Sequence, residues 1–160
     1  MPNQNPVATA DTLRRPFALA VAPNGARKTH ADHACLPITP DELAQCAREC
    51  VDAGAAMIHL HVRKADATHS LEVVDYEPAI AAVRKAVGNA LVLQLTTEAV
   101  GIYQPAQQIA TVRALRPEAA SVAIRELVPN VAALPAAAEF FQWMHHEHVV
   151  AQYILYDAGD

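Results

Sequence analysis

The stretch MIHLHVR, residues 57–63, places two imidazoles inside a run that otherwise has the composition of a buried strand. Side chains two residues apart on a strand point to the same side, so His59 and His61 share one face of it. The next apolar run, LVLQLT, repeats the arrangement with Gln94 and Thr96. Two successive strands therefore carry a pair of polar side chains on one face, near their carboxyl ends.

Strand-like apolar runs alternate with amphipathic, helix-like segments along the chain. The predicted strands are 17–22, 56–62, 91–96, 121–124 and 149–156, and the predicted helices lie at about 39–54, 75–87, 105–116 and 132–148. This alternation predicts an α/β fold with a parallel sheet and right-handed crossovers. Two architectures fit it: an open doubly wound sheet, and the first five strands and four helices of a TIM (β/α)8 barrel.

The spacing of the elements does not choose between these two architectures, but the polar pairs favour the barrel. In a barrel the face that carries them lines the interior, which opens at the catalytic rim. In an open sheet the same face lies under a helix, where four polar side chains need hydrogen-bond partners. We therefore expect a partial barrel domain over 15–160, preceded by a flexible polar tail at 1–14.

Composition limits the possible partners and the compartment. The chain has 160 residues, is 52% hydrophobic and has a net charge of −5, without a lysine or arginine block, which argues against nucleic acid. The longest apolar runs are strand-sized, so no membrane span is predicted, and the N-terminus does not have the pattern of a signal peptide. Three cysteines, an odd number, favour free thiols in a reducing compartment, the cytoplasm.

Two histidines at this spacing suit a metal ion. Imidazole nitrogens on one face of a strand can chelate zinc, and a catalytic zinc usually has three protein ligands and a water molecule. The spacing alone leaves a second interpretation open, in which His59 and His61 are hydrogen-bonded core residues.

Several motifs together resemble one family. VAPNGARKTHADHACLPITPDEL, AGAAMIHLHVR, LQLTT, LRPEAASVAI and YILYDAGD occur in the order and spacing of the β-keto acid cleavage enzymes, from about Arg15 to Asp160. The resemblance implies a zinc-dependent βα barrel, of which this chain covers the N-terminal portion. It also implies a retro-Claisen acyl transfer, in which a β-keto acid and acetyl-CoA give acetoacetate and a new acyl-CoA.

The resemblance also implies roles for particular residues. His59 and His61 match two of the family's zinc ligands, and Thr96 matches a polar residue that binds the substrate carboxylate or carbonyl, with Thr97 as the neighbouring alternative. Ser121 matches a serine or threonine that begins the fourth strand, and it also fits an ordinary strand-start hydroxyl. Arg27, in the loop after the first strand, is a candidate for binding a substrate carboxylate or a CoA phosphate.

Departures from the family keep other functions open. The family's third zinc ligand is a glutamate from a later strand, with a catalytic arginine and aspartate nearby, and this N-terminal portion does not include them. We therefore expect either a truncated form or a piece of a longer protein. The alternatives are a metal-dependent hydrolase of a barrel fold, and a non-catalytic half-barrel that self-associates. Open sheet edges also predict a homo-oligomer.

Overall fold

The computed structural model describes residues 17–160. The predicted tail at 1–14 lies outside the described residues, as do residues 15 and 16 of the predicted domain. Over 17–160, no helix combines the length and the apolar character that crossing a bilayer requires.

The described residues form seven strands and five α-helices. The strands are β1 (Ala20–Val21), β2 (Met57–Leu60), β3 (Val62–Arg63), β4 (His69–Ser70), β5 (Val92–Thr96), β6 (Ala119–Ala123) and β7 (Val150–Ile154). The helices are α1 (Pro40–Asp52), α2 (Val73–Val87), α3 (Pro105–Leu115), α4 (Ile124–Leu127) and α5 (Leu134–His146), with a 3-10 turn at Val131–Ala133.

Five of the strands form a parallel sheet in the order β1-β2-β5-β6-β7. Each strand lies beside the one that precedes it in this order, so the chain winds in one direction without a reversal. A doubly wound sheet needs a reversal, at the point where its helices change face. The uninterrupted order is that of a barrel, and the predicted TIM-barrel type is confirmed for the part of a barrel that this chain covers.

The helices lie against one face of the sheet, and the core lies between. Alternate strand residues such as Ile58, Leu93 and Val122 are almost fully buried against the helices. Tyr76 and Phe140 are the largest fully buried side chains on the helical side. The residues between them along each strand face the opposite side, which corresponds to the interior of a barrel.

Helix boundaries follow the predicted signals closely where a cap is present. Thr39 and Glu42 form a capping box at the start of α1, where the first predicted helix begins, and Gly54, with a φ of 88°, follows the end of that helix. Pro135 lies in the first turn of α5, as its missing N–H requires. The predicted start at 132 is wrong because the 3-10 turn precedes α5, and α2 begins at Val73, two residues before its predicted start.

Some predicted strands differ in length. The first pairs with β2 only at Ala20 and Val21, although the carbonyl of Leu19 also accepts hydrogen bonds from β2 and the residue before it. The fourth is predicted at 121–124, but β6 begins two residues earlier, at Ala119, and Ile124 already belongs to α4. The reason is burial: the small Ala119 and Ala120 are fully covered there, which outweighs their low strand propensity.

Candidate functional site

Polar side chains form rows across the inner face of the sheet. His59 is in register with Gln94, which is in register with Ala119 on β6. Two residues beyond Gln94, toward the carboxyl end of β5, Thr96 is in register with Ser121. Because β2, β5 and β6 are parallel, these rows lie at one rim, which in barrel enzymes carries the active site.

The imidazole rings of His59 and His61 meet at this rim. His59 Nδ1 lies 2.8 Å from Gln94 Oε1, and His59 Nε2 lies 3.0 Å from His61 Nε2. The amide oxygen can only accept, so His59 donates from Nδ1 and keeps a lone pair on Nε2. The second-strand motif thus brings two imidazole nitrogens to one point, with an amide fixing the tautomer of the first ring.

Both rings are neutral at physiological pH. Burial lowers the pKa of His59, against the opposing effect of its bond to Gln94. Burial, and then the neighbouring His59, lower the pKa of His61 to about 3. A neutral imidazole is the form that binds a metal, so the environment that disfavours protonation also favours metal ligation.

The donor set of these two rings fits part of a zinc site. Imidazole nitrogen is a preferred zinc ligand, and His61 Nδ1 is buried without a hydrogen-bond partner among residues 17–160. Over the same residues, no group of three His, Cys, Asp or Glu side chains is arranged to hold a metal ion. The described part of the chain therefore offers two ligands of the three that a catalytic zinc usually has.

A third histidine, His69, packs against this pair and was missed in the sequence. It lies on β4, which pairs antiparallel with β3. The predicted second strand, 56–62, ends as β2 at Leu60, and its last residue, Val62, belongs to β3, whereas β4 lies in a segment predicted as a connection. The ring centroids of His61 and His69 are 5.4 Å apart, and His69 Nε2 donates to the carbonyl oxygen of Glu98 at 2.9 Å. Burial lowers the pKa of His69 to about 4, so it too is neutral.

Glu98 is the carboxylate nearest to the histidines. It follows β5, and its Oε2 lies 3.8 Å from His61 Nδ1. Its Oε1 lies 3.8 Å from the guanidinium of Arg27, which is 74% exposed. Burial raises the pKa of Glu98, and Arg27 opposes that shift. The rim therefore combines neutral imidazoles with a carboxyl group and an accessible cation.

Two side chains tie the β1–α1 loop to the end of β2. Asn24 Nδ2 donates to the carbonyl oxygens of His61, at 2.8 Å, and of Pro37, at 3.0 Å. In the other direction, the guanidinium of Arg63 donates to the carbonyl oxygen of Gly25. These reciprocal bonds hold the loop that carries Arg27 above the histidine pair.

The hydroxyl residues predicted from the sequence face different ways. Thr96 lies on the inner face, where its Oγ1 accepts a hydrogen bond from the backbone N–H of Glu98 at 3.0 Å. Thr97 Oγ1 donates to the carbonyl oxygen of Ser121 at 2.8 Å and is buried. Ser121 lies beside Thr96 in register and is 2% exposed. Of the two threonines, Thr96 is the one beside the histidine row.

Relatives of this chain include a cleavage enzyme and an acetyltransferase. The 3-keto-5-aminohexanoate cleavage enzyme of Acetoanaerobium sticklandii is 33% identical over 78 residues, which are 49% of this chain and 29% of that protein. The 3-oxoadipate:acetyl-CoA acetyltransferase of Cupriavidus necator is 29% identical over 111 residues, which are 69% of this chain and 38% of that protein. The chain thus spans about a third of the length of these curated relatives.

Solved structures of ObcA share the fold. Its ternary complex with a C4-CoA adduct and oxalate superposes with a TM-score of 0.59 at 19% identity, covering 78% of this chain and 32% of that one. Its apo structure gives a TM-score of 0.56 at 20% identity, covering 74% and 30%. The family model of the beta-keto acid cleavage enzymes matches residues 16–160, and the chain belongs to that family.

Proposed function

We propose that this chain carries the zinc-binding part of a β-keto acid cleavage site. The proposed reaction transfers an acyl group: a β-keto acid and acetyl-CoA give acetoacetate and a new acyl-CoA. The observation that supports it most directly is the 3.0 Å approach of His59 Nε2 and His61 Nε2 at the rim of the sheet. Family membership and these two relatives agree with it.

His59 and His61 would hold the zinc, and the family resemblance assigns the third ligand to a glutamate on a later strand. When bound, zinc supplies a Lewis acid that polarises the carbonyl of the keto acid. Gln94 accepts from His59 Nδ1 and so leaves a lone pair on His59 Nε2, the atom that would bind the metal.

Side chains around the histidines would position the substrate. Thr96 and Ser121 place two hydroxyls in register on neighbouring strands, beside the histidine row, where they suit a carboxylate or carbonyl oxygen. Arg27 is exposed at the rim of the sheet, 3.8 Å from Glu98, where its guanidinium would bind an anionic group of the substrate. Glu98, whose pKa is raised by burial, would exchange a proton with the bound substrate.

Zinc content and acetoacetate formation test this function together. We expect the purified chain to retain zinc after dialysis, His59→Ala and His61→Ala to lose it, and His146→Ala, an exposed histidine on α5, to retain it. Acetoacetate should form only with both a β-keto acid and acetyl-CoA. Equal zinc in all variants would refute the metal assignment. Zinc-dependent ester hydrolysis without acetyl-CoA would favour the hydrolase instead.

We also propose that copies of the chain associate through β7. Large apolar side chains are exposed on this edge strand, among them Val150 at 61% and Tyr153 at 54%. An edge strand also offers unpaired N–H and C=O groups to another strand. Light scattering should therefore give a mass above 17.2 kDa, and Tyr153→Lys should shift it toward the monomer. A monomeric wild type at micromolar concentration would refute association.

We propose the cytoplasm as the compartment, on the chemistry of the thiols. Cys35, Cys46 and Cys50 are free, although the Sγ atoms of the last two are 3.9 Å apart. Burial and the neighbouring Cys50 raise the pKa of Cys46 to about 11, which keeps it protonated and slow to oxidise. The odd number of cysteines and the absence of a disulfide among them are the grounds for a reducing environment, and a free-thiol count of three in freshly isolated protein would support it.

A further inference from the structure

Arg63 is a buried cation that forms no ion pair within 4 Å among the described residues, although burial lowers its pKa and the carboxylate of Glu98 is near enough to oppose that shift. It is 9% exposed, and its Nη2 donates to the carbonyl oxygens of Gly25 and Lys28. Its Nε and Nη1 are covered and have no hydrogen-bond partner among residues 17–160. None of the ion pairs formed by those residues includes its guanidinium.

This arrangement is unfavourable unless something else completes it. A charged group that leaves water must regain its hydrogen bonds, and arginine has five N–H groups to satisfy. Unpaired buried polar atoms in a native protein commonly mark the place of a water molecule or an ion. An anion next to Arg63 would supply both the charge and the acceptors.

A cavity of about 450 Å³ adjoins Arg63 and has the matching chemistry. It lies between the β1–α1 loop, the start of α1 and the β3–β4 hairpin. Arg63 and Lys64 form one side of it, and Thr29, His30 and Thr39 lie on the others. None of the residues that line it is an aspartate or a glutamate.

Glu42, an acidic side chain close to this cavity in the first turn of α1, is engaged by other groups. Glu42 accepts hydrogen bonds from the backbone N–H groups of Ile38 and Thr39 through Oε2, and its Oε1 lies 3.2 Å from His30 Nε2. Its charge is therefore committed to the start of α1 and to His30. Asp32 and Asp66 adjoin lining residues in the sequence, and they accept hydrogen bonds from Lys28 and Thr68 respectively. Arg63 and Lys64 are the cations that line the cavity itself.

We propose that this cavity binds a phosphate group, as the free ion or as the phosphomonoester of a larger molecule. The planar guanidinium of Arg63 suits phosphate oxygens, Lys64 adds a second positive charge, and the threonine hydroxyls donate to the remaining oxygens. Phosphate fills only part of 450 Å³, which leaves room for the group that carries it. Because Nε and Nη1 are covered, the phosphate reaches them only when these two atoms become exposed to the cavity.

The site is separate from the zinc ligands, and the proposal depends neither on zinc nor on acyl transfer. It is tested by ¹H–¹⁵N spectra of arginine side chains, with Arg63→Lys used to assign the Nε–H resonance of Arg63. Inorganic phosphate, adenosine 3′,5′-bisphosphate and acetate are titrated separately into the 160-residue chain at constant ionic strength. We expect both phosphates to shift the Arg63 resonance, and acetate to do so only at much higher concentration.

Matched lysine variants locate the binding. Lys64→Gln should weaken phosphate binding about tenfold, as loss of a charge-assisted contact does, whereas Lys85→Gln, an exposed lysine on α2, should leave it unchanged. Tighter binding of the bisphosphate than of inorganic phosphate would identify a phosphomonoester as the ligand, and equal affinity the free ion. An Arg63 resonance that neither phosphate moves, equal effects of the two lysine variants, or acetate binding as tightly as phosphate would overturn the proposal.

Discussion

Asn24→Asp changes two hydrogen bonds while keeping the shape of the side chain. Asn24 is 5% exposed, and its Nδ2 donates to the carbonyl oxygens of His61 and Pro37 at 2.8 and 3.0 Å. An aspartate at this position puts a carboxylate oxygen against two carbonyl oxygens, all of them acceptors. The substitution therefore tests whether this side chain holds the β1–α1 loop to the end of β2.

The expected cost follows from the number of bonds and the burial. Two lost hydrogen bonds remove about 2 kcal/mol, and a buried carboxylate facing acceptors brings the loss of unfolding free energy to about 3–4 kcal/mol at pH 7. Burial and the two carbonyls raise the folded-state pKa of the new carboxyl at position 24 above its unfolded value of about 3.9. The penalty is thus small below the unfolded pKa, because a protonated carboxyl can still donate once, and grows as the pH rises through the folded pKa.

Urea unfolding at pH 7 and pH 5 measures the loss relative to wild type at each pH. Asn130→Asp is the matched control, because Asn130 is exposed and its side chain makes no capping bond, so a change within about 0.5 kcal/mol is expected. If Asn24→Asp costs no more than this control, or if its cost increases as the pH falls, the loop is not held in the way described.

Three further substitutions test other parts of the structure. Tyr76→Phe removes the 3.1 Å hydrogen bond to the carbonyl oxygen of Thr96 and should lower the free energy of unfolding by about 1–1.5 kcal/mol, measured in urea. Tyr103→Phe removes a longer bond, 3.4 Å, to the carbonyl oxygen of His69 and should cost clearly less. Equal costs of the two substitutions would contradict this. Hydrogen bonds from the backbone N–H groups of Thr39 and Ile38 lower the pKa of Glu42 in the folded protein. They therefore stabilise the folded protein fully when the pH is above the pKa that Glu42 has in the unfolded chain, near 4.5, and this stabilisation is lost as the pH falls through the folded-state pKa. Glu42→Gln should therefore cost about 0.5 kcal/mol at pH 7 and almost nothing at pH 3, and a cost independent of pH would refute this origin. Replacing Gln94 with Leu should weaken zinc binding about tenfold, measured by competition with a chelator, and unchanged affinity would show that the amide does not orient the ring.

The parallel α/β topology was predictable because each crossover unit has a strong local signal, whereas the choice of a barrel over an open sheet depended on the polar pairs at the strand ends. Apolar strands, capped helices and the glycine at 54 mark the elements, and parallel pairing of neighbouring strands follows from their alternation. The placement of His59 and Gln94 on one face followed from the two-residue period of a strand, and the sheet register brings them together.

The surroundings of the histidines were not predictable in the same way. His69 and Arg63 lie on strands of only two residues, too short for an alternating pattern, and their roles arise from contacts with loops distant in sequence. The sequence also could not decide which of the adjacent residues Thr96 and Thr97 lies beside the histidines. The two-residue period of a strand assigns a face to each of them only when the last residue of β5 is known. Such contacts depend on tertiary structure, which a local pattern does not encode.

The strand order has a consequence for the local stability of the sheet. In a sheet where each strand pairs with its neighbours in sequence, opening can begin at either edge and proceed inward strand by strand. The central β5, with β2 on one side and β6 on the other, opens only after an outer strand and its helix have separated. Amide hydrogens of Leu93 and Leu95 should therefore exchange with deuterium more slowly than those of β1 and β7. The histidine pair, on β2 and directly after it, lies between the protected centre and an edge strand that opens early.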